Sequence, residues 1–158
     1  MPIDRRKVLA GAAALAVIAA TGAVRSEESR NMTAAAMSEQ TPLQTALAYH
    51  QAWSSRDLDR AMQYIAEDIV CDAPAGRIAG AAAYRAFMAP FVQMLKGTKM
   101  LAAFGNESSA MVMYDTQTAL VDSAPGAELV TVRNGKIVSS RFLFDRLPFE
   151  EARRKAGR

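Results

Sequence analysis

The chain has one cysteine, Cys71, one histidine, His50, and one tryptophan, Trp53, in 158 residues. A single cysteine excludes an intrachain disulfide framework and any multi-cysteine zinc site. A single histidine excludes a C2H2 finger, a His-Glu-x-x-His zinc helix and any His-rich metal cluster. Charge of one sign is also scarce. Nineteen Lys and Arg face sixteen Asp and Glu, and the surplus of +3 is carried by the two ends. Near the start, Arg5, Arg6 and Lys7 outnumber Asp4. At the other end, Arg153, Arg154, Lys155 and Arg158 outnumber Glu150 and Glu151. The stretch between residues 38 and 149 is slightly acidic, which removes the reason to expect a nucleic-acid partner. The length excludes a multidomain enzyme, a full-size dinucleotide-binding or barrel domain and a polytopic membrane protein.

What is present begins with a leader. A short basic segment around Arg5-Arg6 is followed by about a dozen apolar or tiny residues and then by Thr21-Gly22-Ala23. This layout predicts an export signal over residues 1–23, and the arginine pair resembles a twin-arginine signal. Asp4 stands where such signals carry Ser or Thr, and Val8-Leu9 replaces a Phe-Leu pair. A membrane-anchoring helix and an internal start at Met32 or Met37 are the alternatives. Residues 24–40 show no periodicity and read as a spacer. Export makes the protein periplasmic or secreted, with membrane contact only in transit; an internal start makes it cytoplasmic.

From Thr41 onward the pattern is that of a packed domain. Thr41-Pro42 offers an N-cap with proline in the first turn, and Leu43, Ala46, Leu47 and His50 follow at helical spacing, with Tyr49 and Trp53 alongside. Asp57 caps a second short helix. A short strand at 69–71 leads into Asp72 and a Pro- and Gly-rich loop, APAGRIAG. Residues 81–95 predict a third helix, which Pro90 should kink or interrupt. Strands are expected at 100–104, 110–118, 128–133 and 136–145, with Asn134-Gly135 as a two-residue hairpin turn. Helices gathered beside a mainly antiparallel sheet define an α+β class. The domain is expected to span 41–149 and to be followed by a basic, solvated tail at 150–158.

The segments AYHQAWSSRDLDRAMQYIAEDIV, CDAPAGRIAG, AYRAFMAPF and NGKIVSSRFLFD resemble the NTF2-like superfamily and, within it, the SnoaL-like domain family. The resemblance covers nearly all of 41–149. It implies a cone in which three helices pack on a curved, antiparallel-dominated mixed sheet around an apolar cavity. It also implies relatives among ketosteroid isomerases, polyketide cyclases and epoxide hydrolases, together with proteins that only bind. In the isomerases an oxyanion-binding tyrosine lies in the first helix, where this chain has Tyr49. Their base is an Asp directly before a proline; here Asp72 is separated from Pro74 by Ala73. Their protonated late-strand Asp falls at Glu128. The Arg-x-Asp pair of the epoxide hydrolases falls at Met113 and Asp115, and their last Asp at Phe142, so the arginine and one carboxylate are missing. An Asp–His arrangement like that of the cyclases would have to use His50.

The residues themselves give similar candidates. Asp115 interrupts an apolar strand and alternates with Met111, Met113 and Gln117. If that face points inward, the acid sits in an apolar cavity suited to proton transfer; otherwise it pairs with an arginine or meets solvent. Asp72 ends a strand before a loop and is either a base or a turn-forming residue. Glu128 heads a strand on the face of Val130 and Val132. Trp53 and His50 belong either to the core or to the pocket wall. These residues predict a pocket for a small hydrophobic, oxygenated molecule. Asp72, Asp115 and Tyr49 are its candidate catalytic groups, and Glu128, Trp53, His50, Met113 and Phe142 are secondary. The chemistry is either cofactor-independent isomerase, cyclase or lyase chemistry on carboxylates, or none, the protein then being a binding or dimerising module. No cofactor or metal is called for. A homodimer through the open sheet face is expected.

Overall fold

A computed structural model describes residues 31–32 and 40–157. The expected export signal and nearly all of the expected spacer lie outside these residues. Helix α1 (Pro42–Ser54) begins with a complete capping box. The Thr41 hydroxyl accepts from the Gln44 amide, and the Gln44 side chain accepts from the Thr41 amide. Its buried stripe, Thr45, Ala46, Tyr49, His50, Ala52 and Trp53, follows the helical period. The chain leaves α1 through Arg56, at φ 64°, and the Asp57 carboxylate caps α2 (Leu58–Met62) by accepting from the Arg60 amide.

Strand β1 (Ile65–Ala73) turns through Pro74-Ala75 into β2 (Gly76–Ala79), its antiparallel neighbour. The APAGRIAG stretch is therefore half turn and half edge strand, where a loop was expected. Helix α3 (Ala81–Met94) runs through Pro90. Then come β3 (Leu95–Gly105), β4 (Ser109–Thr118), β5 (Ala124–Arg133) and β6 (Lys136–Phe144). The Asn134-Gly135 turn between β5 and β6 has positive φ at both residues, as the dipeptide predicts.

The six strands form one sheet in the order β2-β1-β6-β5-β4-β3. All neighbours are antiparallel except β1 and β6, which run parallel, so the sheet is mixed as expected. Register shifts in the β1–β6, β3–β4 and β5–β6 pairs bend it. Helix α1 packs across β3, β4 and β5, and α3 packs on β1 and β2.

Strand alternation assigns the two faces. Ala110, Val112, Tyr114, Thr116 and Thr118 of β4 are buried under the helices. Met111 and Met113 point the other way and are 43% and 44% exposed. The methionine face is thus the outer face, because the helices cover the tyrosine side. On that outer surface Phe104, Met111 and Leu129 are successive cross-strand partners, and Met113, Ala127 and Leu143 form the next row.

The basic, solvated tail expected at 150–158 is helical as far as Ala156, while nearly all its described residues are exposed. Helix α4 (Leu147–Ala156) carries Pro148 in its first turn, and its Phe149 is buried edge-on against Phe144, with ring centroids 6.3 Å apart. An Arg146–Glu150 ion pair one turn apart reinforces it. One aromatic anchor outweighs a local sequence that is otherwise strongly charged. Residues 40–157 therefore contain four helices, one more than the three expected. No helix among them is long and apolar enough to cross a membrane.

Candidate functional site

Helices α1, α3 and α4 and the inner face of the sheet enclose a cavity of about 360 Å3. Its walls are aromatic for a local reason in each element. On α1, Trp53 lies at the inner end of the buried stripe; on α3, Phe87, Phe91 and Met94 continue a helical spacing. On the sheet, Tyr114, Gly126, Phe142 and Phe144 are inward positions of β4, β5 and β6. The rings interlock. Trp53 meets Tyr114 at 5.3 Å and Phe91 at 5.8 Å, and Phe87 meets Phe142 at 5.9 Å between centroids. Among the described residues, the only formal charges on the lining belong to Arg146 and Arg153.

Behind this lining lies a buried polar cluster. Glu128 has no exposed surface and is the cross-strand partner of Phe142 on one side and Val112 on the other. Its Oε1 accepts from the Ser140 hydroxyl at 2.6 Å and from the Tyr84 hydroxyl at 3.3 Å. The Tyr84 proton is committed to Glu128, so Tyr49 donates to the Tyr84 oxygen, at 2.7 Å. Three elements, α1, α3 and β5, thus supply a donor chain from Tyr49 through Tyr84 to Glu128. Glu128 Oε2 has no partner.

Desolvation dominates the electrostatics. It raises the Glu128 carboxyl to about 7, against the opposing hydrogen bonds from Ser140 and Tyr84. Burial, with the Glu128 charge nearby, holds Tyr49, Tyr84 and Tyr114 well above the usual phenol range. These phenols are donors at every physiological pH. Burial also pushes His50 down to about 4; the ring packs on Trp53 and Tyr114 at 4.5 and 5.1 Å, and its Nε2 is unpartnered.

The candidates from the sequence therefore separate. Tyr49 and Glu128 join one network, while Trp53 and Phe142 line the cavity and His50 packs behind Trp53 and Tyr114. Asp72 is on β1 beside the inward Cys71, is half exposed and is paired with Arg141 at 3.1 Å. Asp115 shares the outer face with Met113; its Oδ2 accepts from the Ser123 hydroxyl at 2.8 Å, and its Oδ1 is unpartnered. Neither aspartate lines the cavity, nor does Met113. Tyr84 and Ser140, which complete the network, were not anticipated. Tyr84 looks like any apolar-face residue of α3, and Ser140 like any small residue in a strand. Only the β5–β6 register and the docking of α3 bring them to Glu128.

Residues 46–140 match the SnoaL-like domain family. The chain belongs to that family. A crystal structure of a protein from Kribbella flavida DSM 17836 is 54% identical, covers 74% of this chain and 97% of its own, and has a TM-score of 0.73. An NTF2-like protein from Cytophaga hutchinsonii ATCC 33406 is 19% identical over 71% of this chain and 96% of its own, with a TM-score of 0.60. A steroid delta-isomerase from Pseudomonas aeruginosa is 16% identical over 75% and 96%, at 0.59. At those identities the last two show a shared fold alone. No curated protein matches. The SnoaL-like chain thus has the NTF2-like fold expected from its sequence.

Burial of Glu128 has a measurable consequence. In the unfolded chain its carboxyl titrates near the ordinary value of 4.5, and in the folded one near 7. Between these values the folded state binds the extra proton, so stability falls as pH rises through that window. The loss amounts to about 3 kcal/mol once the window is passed. His50 works in the opposite direction below its ordinary value of 6.5, so the whole protein shows a muted slope. The Glu128→Gln variant isolates the acid. Urea unfolding at about pH 8 should show a gain roughly 2–3 kcal/mol larger than at about pH 5. Equal changes at both pH values would mean that the folded carboxyl titrates normally.

Proposed function

We propose that this SnoaL-like protein binds a small, largely apolar molecule carrying a carbonyl or hydroxyl group in the cavity between Trp53, Phe91 and Phe142. The observation that carries this reading is the wall itself. About 360 Å3 of space is surrounded by aromatic rings, and no carboxylate lines it. Asp72 is engaged by Arg141 and Asp115 faces outward, so neither supports a base poised over a ligand. Trp53 is the sole tryptophan, and its emission should report occupancy directly. Titration with 2-decanone should shift or quench that emission saturably. Ala124→Leu, which adds bulk to the wall, should weaken binding about tenfold or more with little change in Tm. A linear response, or identical titrations of both proteins, would sink the reading.

A second reading, proton-transfer catalysis, is favoured by the Tyr49–Tyr84–Glu128 chain. A buried carboxyl that titrates near neutrality can give or take a proton at working pH, and Tyr114, a phenol on the cavity wall that stays protonated, can stabilise an enolate oxygen. The chemistry that follows is isomerisation or cyclisation through an enol, with no cofactor. In deuterated water the α-protons of bound 2-decanone should exchange faster than in buffer, and Glu128→Gln and Tyr84→Phe should each remove the acceleration. Exchange at the buffer rate with the wild-type protein leaves a binding protein.

The outer sheet face supports a homodimer. Phe104, Met111, Leu129, Met113 and Leu143 form two apolar cross-strand rows; beside them Arg141 is paired with Asp72, and Lys99 stands across from Asp115. A second copy of the same face would bury these apolar rows. Light scattering should give twice the chain mass, and Met113→Lys with Leu143→Lys should give the monomer. A monomeric wild-type protein would refute this pairing.

A further inference from the structure

We infer that the mouth of the cavity is an anion subsite formed by Arg146 and Arg153, and that the ligand is an amphipathic monoanion with its carboxylate at that rim. This rests on the cavity being a ligand pocket and names the class of molecule it takes.

Positions 146, 149 and 153 are three and four residues apart and share one face of the α4 region. Phe149, buried against Phe144, fixes that face toward the cavity, and both arginines line it on either side of the anchor. The two cations differ. Arg146 is held in place by Glu150 at 3.1 Å and donates to the Pro74 carbonyl at 3.4 Å, so its charge is largely matched. Arg153 has no ion pair among the described residues, and one positive charge is left over at the mouth. A guanidinium fork meets a carboxylate in plane through two hydrogen bonds, and a single surplus charge matches a single anionic head.

The opposite end of the cavity favours the same orientation. Its inner wall is apolar side chain, and the nearest buried acid, Glu128, would repel a second carboxylate whenever it ionises. An apolar tail inward and a carboxylate outward avoids that repulsion. The mouth is also partly open to water, so the head group keeps some hydration and need not be fully desolvated.

Decanoate and 1-decanol share a chain and differ at the head, and Trp53 emission reads both. At low ionic strength and about pH 8, decanoate should bind the full chain about tenfold more tightly than decanol. The ratio should fall as salt is added. In the Arg146→Gln, Arg153→Gln double variant it should fall to about one, whereas Arg153→Lys should retain part of it. Equal affinities of the two ligands for the wild-type protein would overturn the anion subsite, as would a double variant that keeps the wild-type ratio. In both cases the cavity would stand as a pocket for neutral molecules. If neither ligand changed Trp53 emission, the pocket reading itself would fail, and the subsite with it.

Discussion

The structure depends on keeping one carboxyl out of water. Glu128 sits inside the mixed sheet, directly across from Val112 and Phe142 on its antiparallel neighbours, with no exposed surface. An isolated charge there would be prohibitively unfavourable, and two hydrogen bonds to one oxygen offset only part of the penalty. The result is a proton that the folded chain retains to near neutrality. The surrounding elements are arranged to meet that demand. Helix α3 must dock so that Tyr84 reaches Oε1, α1 must dock so that Tyr49 reaches Tyr84, and β6 must pair in the register that brings Ser140 alongside. Three otherwise separate segments are tied to one atom.

The same interior holds the chain's only histidine as a neutral ring. Glu128 favours the folded state at low pH, and His50 favours it at higher pH. Both are consequences of one apolar environment acting on an acid and on a base. Desolvation always disfavours the charged form, so it raises one group and lowers the other. A core with only the acid would be steadily less stable toward neutral pH. With both groups, the two slopes oppose each other over the window they share.

Much of the scaffold was legible in the sequence because its signals are local. The Thr41 N-cap, the Asp57 cap and the Asn134-Gly135 turn are each settled by two to four neighbouring residues, and all three occur as expected. Family resemblance carried the fold further, to a mixed sheet packed with helices. What could not be read is which face of a strand points inward. Alternation in β4 separates Met111, Met113 and Asp115 from Val112, Tyr114 and Thr116, but both sets are apolar enough to be core. The choice is made by where α1 lands, a contact between residues some sixty positions apart. That single ambiguity carried Asp115 and Met113 toward the pocket in sequence terms, although they lie on the outer face. The α4 segment escaped for a different reason. Its charge suggests a solvated end, and only the tertiary contact of Phe149 with Phe144 reveals a wall of the cavity.

The polar groups around the cavity fall into two sets with different physics. Those behind the inner wall, Glu128, Tyr84 and Tyr49, are fully desolvated, and burial drives all three toward their protonated, neutral forms. Those at the rim, Arg146 and Arg153, are exposed to solvent. A ligand entering such a space meets an apolar surface first bounded by positive charge and last backed by neutral donors. The sheet alone cannot create this gradient, since every inward strand position is either aromatic, small or neutral at the wall. It arises because α4 and its N-cap bring Arg153 and Arg146, both exposed, to the lining of the cavity. The positive charge near the C-terminal end therefore does more than balance a slightly acidic domain. At the C-terminal end that charge becomes part of the cavity mouth.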